Sequence, residues 1–151
     1  MARHHGRELA LKVLFEHDLT KVDAAALVNR ATQGGSAEDG RFTQDLVQGV
    51  LDHETDIDSR IEANAIQWRV NRMPTVDRNI LRLATYELMN SDNVPISVII
   101  DEALELAQVY STDQSKKFIN GVLGQIAAQL RPDGDLDRVE SAEYHDVGPG
   151  D

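Results

Sequence analysis

Ser115, Lys116 and Lys117 are the residues of this chain best suited to bind an anion. They follow a short polar turn and precede an apolar run with helical spacing, so the pattern predicts that Ser115 caps a helix N-terminus. A helix N-terminus carries partial positive charge and unbonded backbone N–H groups, and two lysines there would add full charges. The three residues therefore predict a phosphate-binding corner, with an ordinary cap and two solvated lysines as the alternative.

A second basic cluster lies near the start of the chain. Arg3, Arg7 and Lys12 carry fixed positive charges there, and two histidines between the arginines add charge at low pH. Phe15 follows on the same predicted helix and could offer a stacking face to an unpaired base, although burial in the core is the more common role. The cluster predicts a second anion-binding segment, with a frayed terminus as the alternative.

Acidic side chains give no comparable signal for catalysis. Asp101, Glu102 and Glu105 share a face of a predicted helix, but the sequence places no histidine beside them and contains no calcium loop. We interpret them as a solvated acidic face. The sequence also lacks a phosphate loop, a dinucleotide fingerprint, a nucleophile elbow and any cysteine. It predicts no enzyme activity, no cofactor and no metal site.

Arg78 and Arg82 lie one helical turn apart, and we interpret them as ion-paired within the protein. The candidate acidic partners are Asp77, Glu87 and Glu102. Asp77 also falls in the first turn of a predicted helix, where the helix dipole favours a carboxylate. It could equally form an ion pair with a protein partner.

The elements that position these residues are predicted to be helices, because apolar residues recur at helical spacing and no segment alternates like a strand. The predicted helices cover about residues 6–19, 23–31, 75–90, 96–107 and 115–130. Apolar residues between positions 42 and 61 predict either one long helix or two helices broken near His53. Gly49 and Gly121 lie inside predicted helices, where glycine is unfavourable, and so predict close helix–helix approach.

Composition indicates one domain with an acidic end. The chain has 151 residues and a net charge of −11, which argues against promiscuous nucleic-acid binding and requires any anion site to be local. We predict a helical domain over residues 1–130 and a disordered acidic tail over residues 131–151, which hold two arginines and seven acids. No apolar run reaches the roughly 20 residues that span a bilayer, and no secretory signal is present, so a cytoplasmic protein is predicted.

Residues 68–126 resemble the NusB family of transcription antitermination factors. The matching segments are TVDRNILRLA at 75–84, YEL at 86–88, VP at 94–95, DEALELA at 101–107 and SKKFINGVL at 115–123. Residues 7–15 resemble the family more weakly. The resemblance implies an all-α fold, a compact bundle of about seven helices in two packed helical subdomains.

The resemblance also implies a non-catalytic function in RNA binding. Family members bind the boxA element of nascent ribosomal RNA leaders together with the ribosomal protein NusE, within an RNA polymerase antitermination complex. The family's RNA surface maps here to Arg3, Arg7, Phe15, Ser115, Lys116, Lys117 and Phe118. Asp77 falls where the family places an acid that faces NusE.

Two other functions are compatible with the sequence. The chain could be a helical protein-interaction adaptor, or a homodimer, that contacts RNA little. A NusB-like domain also precedes the catalytic domain of certain ribosomal RNA cytosine methyltransferases. This chain has no cysteine for that chemistry, and its end looks like a natural terminus, so the sequence favours the RNA-binding module.

Overall fold

Seven α-helices make up most of the part of the protein that the structure describes. The computed structural model describes residues 4–134, and over that range the all-α prediction is confirmed. The helices are α1 His4–Thr20, α2 Ala24–Ala31, α3 Ala37–Asp52, α4 Glu54–Asn64, α5 Thr75–Asn90, α6 Ile96–Tyr110 and α7 Asp113–Leu130. A short 3-10 turn, Val70–Arg72, lies between α4 and α5. No helix in the described range is long and apolar enough to cross a membrane.

Helix α5 is the centre of the bundle. It packs against α1, α3, α4, α6 and α7, while α1, α2 and α3 also pack against one another. Its apolar side chains are buried on more than one side, as expected for a helix surrounded by others. They are Ile80, Leu81, Leu83, Ala84 and Leu88. One continuous aliphatic core therefore joins the N-terminal and C-terminal helices.

Of the two alternatives predicted for positions 42–61, the structure has two helices, α3 and α4, with the break at His53. The His53 backbone N–H donates to the Gly49 carbonyl, and its own carbonyl accepts from Ile57 in the next helix. The His53 imidazole Nδ1 lies 2.9 Å from the same Gly49 oxygen, and its ring lies 5.8 Å from that of Tyr86. One residue thus ends α3 and begins α4.

The two mid-helix glycines differ in their surroundings. A Cβ atom on Gly49 would lie 2.1 Å from Cζ of Tyr86, so the predicted close approach between helices is correct there. A Cβ on Gly121 would meet nothing within 4 Å. The same prediction for Gly121 is wrong, because that position faces outward from the bundle.

Arg131 belongs to the helical domain, although the predicted tail begins at this residue. Its side chain is buried and its guanidinium donates to the carbonyls of Val94, at 2.8 Å, and Ser91, at 3.0 Å. It thereby satisfies carbonyl groups where α5 ends and the next connection begins. The disordered acidic tail was predicted over residues 131–151, of which residues 135–151 lie outside the described residues.

Candidate nucleic-acid interface

Helix α7 begins before the predicted position. Thr112 is the N-cap, and its side-chain oxygen accepts a hydrogen bond from the Ser115 backbone N–H at 3.0 Å. Ser115 is therefore inside the first turn, and its prediction as the cap is wrong. The sequence misled because Thr112 is an equally good capping residue, placed three positions earlier. Lys116 and Lys117 follow the first turn instead of lying within it.

The Ser115 hydroxyl is occupied by an internal contact. It donates to Asp77 at 2.6 Å, and the Ser111 hydroxyl donates to the other oxygen of the same carboxylate. Asp77 is only 3% exposed. The structure thus places Asp77 beneath the surface, where it joins the start of α5 to the turn between α6 and α7. Its predicted direct contact with a protein partner does not fit this burial.

Lys116 and Lys117 lie on the outer side of α7. The Lys116 ammonium donates to Gln108 of α6 at 2.8 Å, while Lys117 is exposed and has no ion pair or hydrogen bond within residues 4–134. Both border an open groove of about 370 Å³ between the two helices. Its lining residues are Leu104, Asp113, Lys116, Lys117 and Asn120. The groove presents two cations and one carboxylate to an incoming ligand.

Phe118 lies beside an aromatic residue to which sequence reasoning assigned no role. Its ring centroid is 6.4 Å from that of Trp68, and the two ring planes meet at 65° in an edge-to-face contact. Trp68 is 50% exposed, on the connection that follows α4. The signal in the sequence was the single tryptophan of the chain, but its partner is 50 positions away.

Arg7 is placed in the interior, so its prediction as an RNA-contacting residue is not supported by its position. It is 3% exposed, and its guanidinium donates two hydrogen bonds to the Glu87 carboxylate, at 2.7 and 2.8 Å. Burial alone would lower the pKa of Arg7, but the hydrogen bonds and charges of Glu87 and Glu102 raise it overall. The Arg7 guanidinium also lies 5.6 Å from the Phe42 ring centroid. The residue joins α1 to α5.

Phe15 lines a second groove, separate from the two lysines. This groove has a volume of about 610 Å³, and Phe15 is 37% exposed on its wall. The lining residues are Leu11, Lys12, Phe15, Glu16, Leu19, Val76 and Tyr110. It shares no lining residue with the groove beside Lys117. Arg3, the remaining predicted RNA-contacting residue, lies outside the described residues.

Tyr110 closes one side of the second groove and is held by two contacts. Its hydroxyl donates to the Glu8 carboxylate, and the Lys12 ammonium lies 6.0 Å from its ring centroid. The hydrogen bond to Glu8 raises the pKa of Tyr110 to about 12, with a further contribution from burial. The phenol therefore stays neutral at physiological pH and holds α6 against α1.

Arg78 and Arg82 are ion-paired as predicted, but with other acids. Asp18 of α1 accepts from Nε of Arg78 at 2.7 Å and from Nη1 of Arg82 at 3.2 Å, and Asp58 of α4 accepts from Nε of Arg82 at 2.8 Å. Burial would raise the pKa of Asp18, but hydrogen bonds from Arg78 and Asn79 and both guanidinium charges lower it overall. The predicted partners were wrong because helix packing, not sequence spacing, selects them.

One cluster has residue types suited to a metal ion. His4 Nδ1 lies 2.7 Å from a Glu102 oxygen and 3.4 Å from Glu105, and these are the residues in the described range that could share a cation. The sequence showed no histidine beside these acids because His4 comes from α1, 98 positions away. A hydrogen bond between His4 of α1 and Glu102 of α6 accounts for the arrangement.

Comparison with known proteins gives one consistent result. The profile of the NusB family matches residues 4–128. The transcription antitermination protein NusB of Geobacillus kaustophilus (strain HTA426) is 41% identical over 131 residues, covering 87% of this chain and 99% of that protein. The solved structure of T. maritima NusB is 34% identical with a TM-score of 0.84, covering 89% of this chain and 96% of the other. A solved complex of antitermination factors NusB and NusE with dsRNA contains a chain that is 26% identical, with a TM-score of 0.77 and coverage of 85% and 99%.

Proposed function

Because the chain belongs to the NusB family, we propose that it is a transcription antitermination factor that binds boxA-type single-stranded RNA together with NusE. The relative named above is a transcription antitermination protein, and a structural neighbour is held in a complex with NusE and dsRNA. The role is non-catalytic and belongs to the RNA polymerase antitermination complex, which places the protein in the cytoplasm. The acidic net charge makes a basic partner useful, since RNA is repelled by most of this surface.

The observation that carries this proposal is the exposed surface at the start of α7. Lys116, Lys117 and Phe118 are consecutive, and Lys117 has no internal partner within the described range. Cations that form no internal ion pair remain available to phosphate groups, whereas a half-buried ring beside them can contact a base. We propose these three residues as the RNA contacts on α7.

The other predicted residues take different places in the proposal. Ser115 and Asp77 position the start of α7 through their hydrogen bond, and Arg7 fixes α1 through Glu87. Arg3 keeps its predicted role as an RNA contact near the start of the chain. These assignments separate residues that touch RNA from residues that hold the surface in shape.

The groove beside Phe15 supports a protein-binding role. Its walls are mostly aliphatic and aromatic, and Val76 on its edge directly precedes the buried Asp77. We propose that NusE occupies this groove, so that Phe15 serves the partner and not the RNA. The same groove is the observation that favours the second candidate function, a helical adaptor or homodimer with little direct RNA contact.

Fluorescence anisotropy tests the proposal directly. A labelled boxA RNA and a scrambled RNA of equal length are titrated with the protein, each with and without purified NusE. We expect tighter binding to boxA than to the scrambled RNA, strengthened when NusE is present. Equal or absent binding of both RNAs with NusE present would overturn the antitermination role, and sedimentation would then show whether the groove joins two copies.

A further inference from the structure

We propose that Trp68 and Phe118 together form a stacking platform for one base of the bound RNA, beside the phosphate contact of Lys117. The proposal rests on the function proposed above and extends its RNA surface from α7 to the connection after α4. Base–aromatic stacking tolerates any sequence because every base has a π face, so this contact would add affinity more than sequence preference.

The exposure of Trp68 is the first support. The indole is 50% exposed although tryptophan is among the side chains that gain most from burial. It contacts Phe118 edge to face, and Phe118 is itself only partly buried. The exposed half of the Trp68 side chain is available for contact with a third ring.

The backbone holds Trp68 in this exposed position. Its N–H donates to the Ala65 carbonyl at 2.9 Å, and two residues later the Val70 N–H donates to the Glu62 carboxylate at 2.8 Å. Gln67, directly before Trp68, has a φ of 73°, a left-handed conformation that is uncommon for a residue with a side chain. These two hydrogen bonds restrict the backbone around Trp68. The restriction lowers the conformational entropy that is lost when a base stacks on the indole.

The helix surface beside the platform is cationic and open. Lys117 directly precedes Phe118 and is exposed. Gly121 follows Lys117 by one helical turn, is exposed, and has no neighbour within 4 Å of an added Cβ. A nucleotide presents a flat base and a negative phosphate, which match an aromatic pair and an adjacent lysine. An apolar protein segment would leave the lysine charge unused, so RNA is the favoured occupant.

Intrinsic fluorescence gives a direct test, because Trp68 is the only tryptophan in the chain. The full-length protein is titrated separately with boxA RNA and with NusE while tryptophan emission is followed, using tryptophan-free NusE or difference spectra. We expect quenching by RNA. Stacking contributes roughly 1–3 kcal/mol per base, so Trp68→Ala should weaken RNA binding by about 5- to 150-fold in the anisotropy assay.

Two further variants control the experiment. Trp68→Phe keeps an aromatic face and should retain most of the affinity, whereas Ile66→Ala removes an exposed apolar side chain from the same connection and should leave affinity unchanged. Circular dichroism checks that each variant keeps its helices. Unchanged affinity of Trp68→Ala for an RNA that the wild-type protein binds would overturn the platform alone.

Two other outcomes also decide the matter. Emission that responds to NusE and not to RNA would overturn the platform and assign this surface to a protein contact. Failure of the wild-type protein to prefer boxA in the presence of NusE would overturn the function itself, and the platform with it.

Discussion

Arg7 and Lys117 were both expected to meet RNA phosphates, yet the fold treats the two cations in opposite ways. Arg7 lies in the interior between α1 and α5, with Glu87 bound to its guanidinium and Glu102 3.9 Å away. Lys117 lies on the outer side of α7 and has no ion pair within residues 4–134. The difference shows that a positive charge can bind an external anion only where the fold has not already supplied an internal one.

Variants at Arg7 and variants at Lys117 should therefore change different properties of the protein. Substitutions around Arg7 should reduce the free energy of unfolding, since removal of one member of a buried ion pair leaves the other charge uncompensated. Substitutions around Lys117 should change RNA affinity and leave stability unaltered.

Arg7→Ala should destabilise the protein by about 3–5 kcal/mol, because the buried Glu87 carboxylate would lose its partner. Urea unfolding followed by circular dichroism measures this change. Arg41→Ala, which removes an arginine from the surface of α3, is the matched control and should unfold like the wild type. An Arg7→Ala protein as stable as the control would show that the Glu87 pair does not hold Arg7, which would then be free for RNA.

Gly49→Ala should destabilise the protein by about 1–3 kcal/mol, since the new methyl group would overlap the Tyr86 ring. Gly121→Ala is the matched control, because the sequence around Gly121, NGVL, is nearly the same as the sequence around Gly49, QGVL. It should stabilise α7 by up to about 1 kcal/mol, because alanine favours a helix and the site is open. Thermal melting of the two variants compares them, and shifts of the same sign would contradict the assigned surroundings.

Acid should reduce the stability that Asp18 contributes through its bonds to Arg78 and Arg82. The folded-state pKa of Asp18 is lowered, so its contribution to stability is complete above its unfolded pKa of about 3.9 and is lost as pH falls through the folded value. Asp18→Asn should cost about 1–3 kcal/mol at pH 7 and flatten this acid dependence. Urea unfolding at several pH values between 3 and 7 provides the measurement. Parallel pH profiles of variant and wild type would exclude Asp18 as a source of acid sensitivity.

Lys117→Ala should have the smallest effect on stability and a clear effect on RNA. The urea midpoint should not move, while the slope of log affinity against log salt should fall by roughly 0.7 for one lost phosphate contact to a single strand. Anisotropy at several salt concentrations measures the slope. An unchanged slope would remove Lys117 from the interface and leave the phosphate contacts to other cations.

The helices were predictable because their signals are local. Prolines at positions 74 and 95 precede α5 and α6, and apolar spacing marks the buried faces. The break at His53 could not be chosen from spacing alone, since either continuation keeps Ile57 on the apolar face. Its choice depends on Tyr86 packing over Gly49, a contact between distant segments.

The interface was only partly predictable, for the same reason. Lys116, Lys117 and Phe118 are adjacent in sequence, and the structure keeps them together on α7. Arg7 was misassigned because Glu87, its partner, lies 80 positions away, and no local pattern reports that pairing. Trp68 went without a role because an exposed aromatic residue and a core one look alike until the fold is known.

The single-residue corner at His53 couples local opening at the end of α3 to local opening at the start of α4. With no loop between α3 and α4, neither helix end can fray without also releasing the bonds that the corner residue makes to Gly49 and Ile57. The amide protons of His53 and Ile57 should therefore exchange with solvent deuterium at similar, slow rates, as one cooperative unit. Helix α7, where an added Cβ at Gly121 or Gly124 would meet nothing within 4 Å, should open independently of that unit.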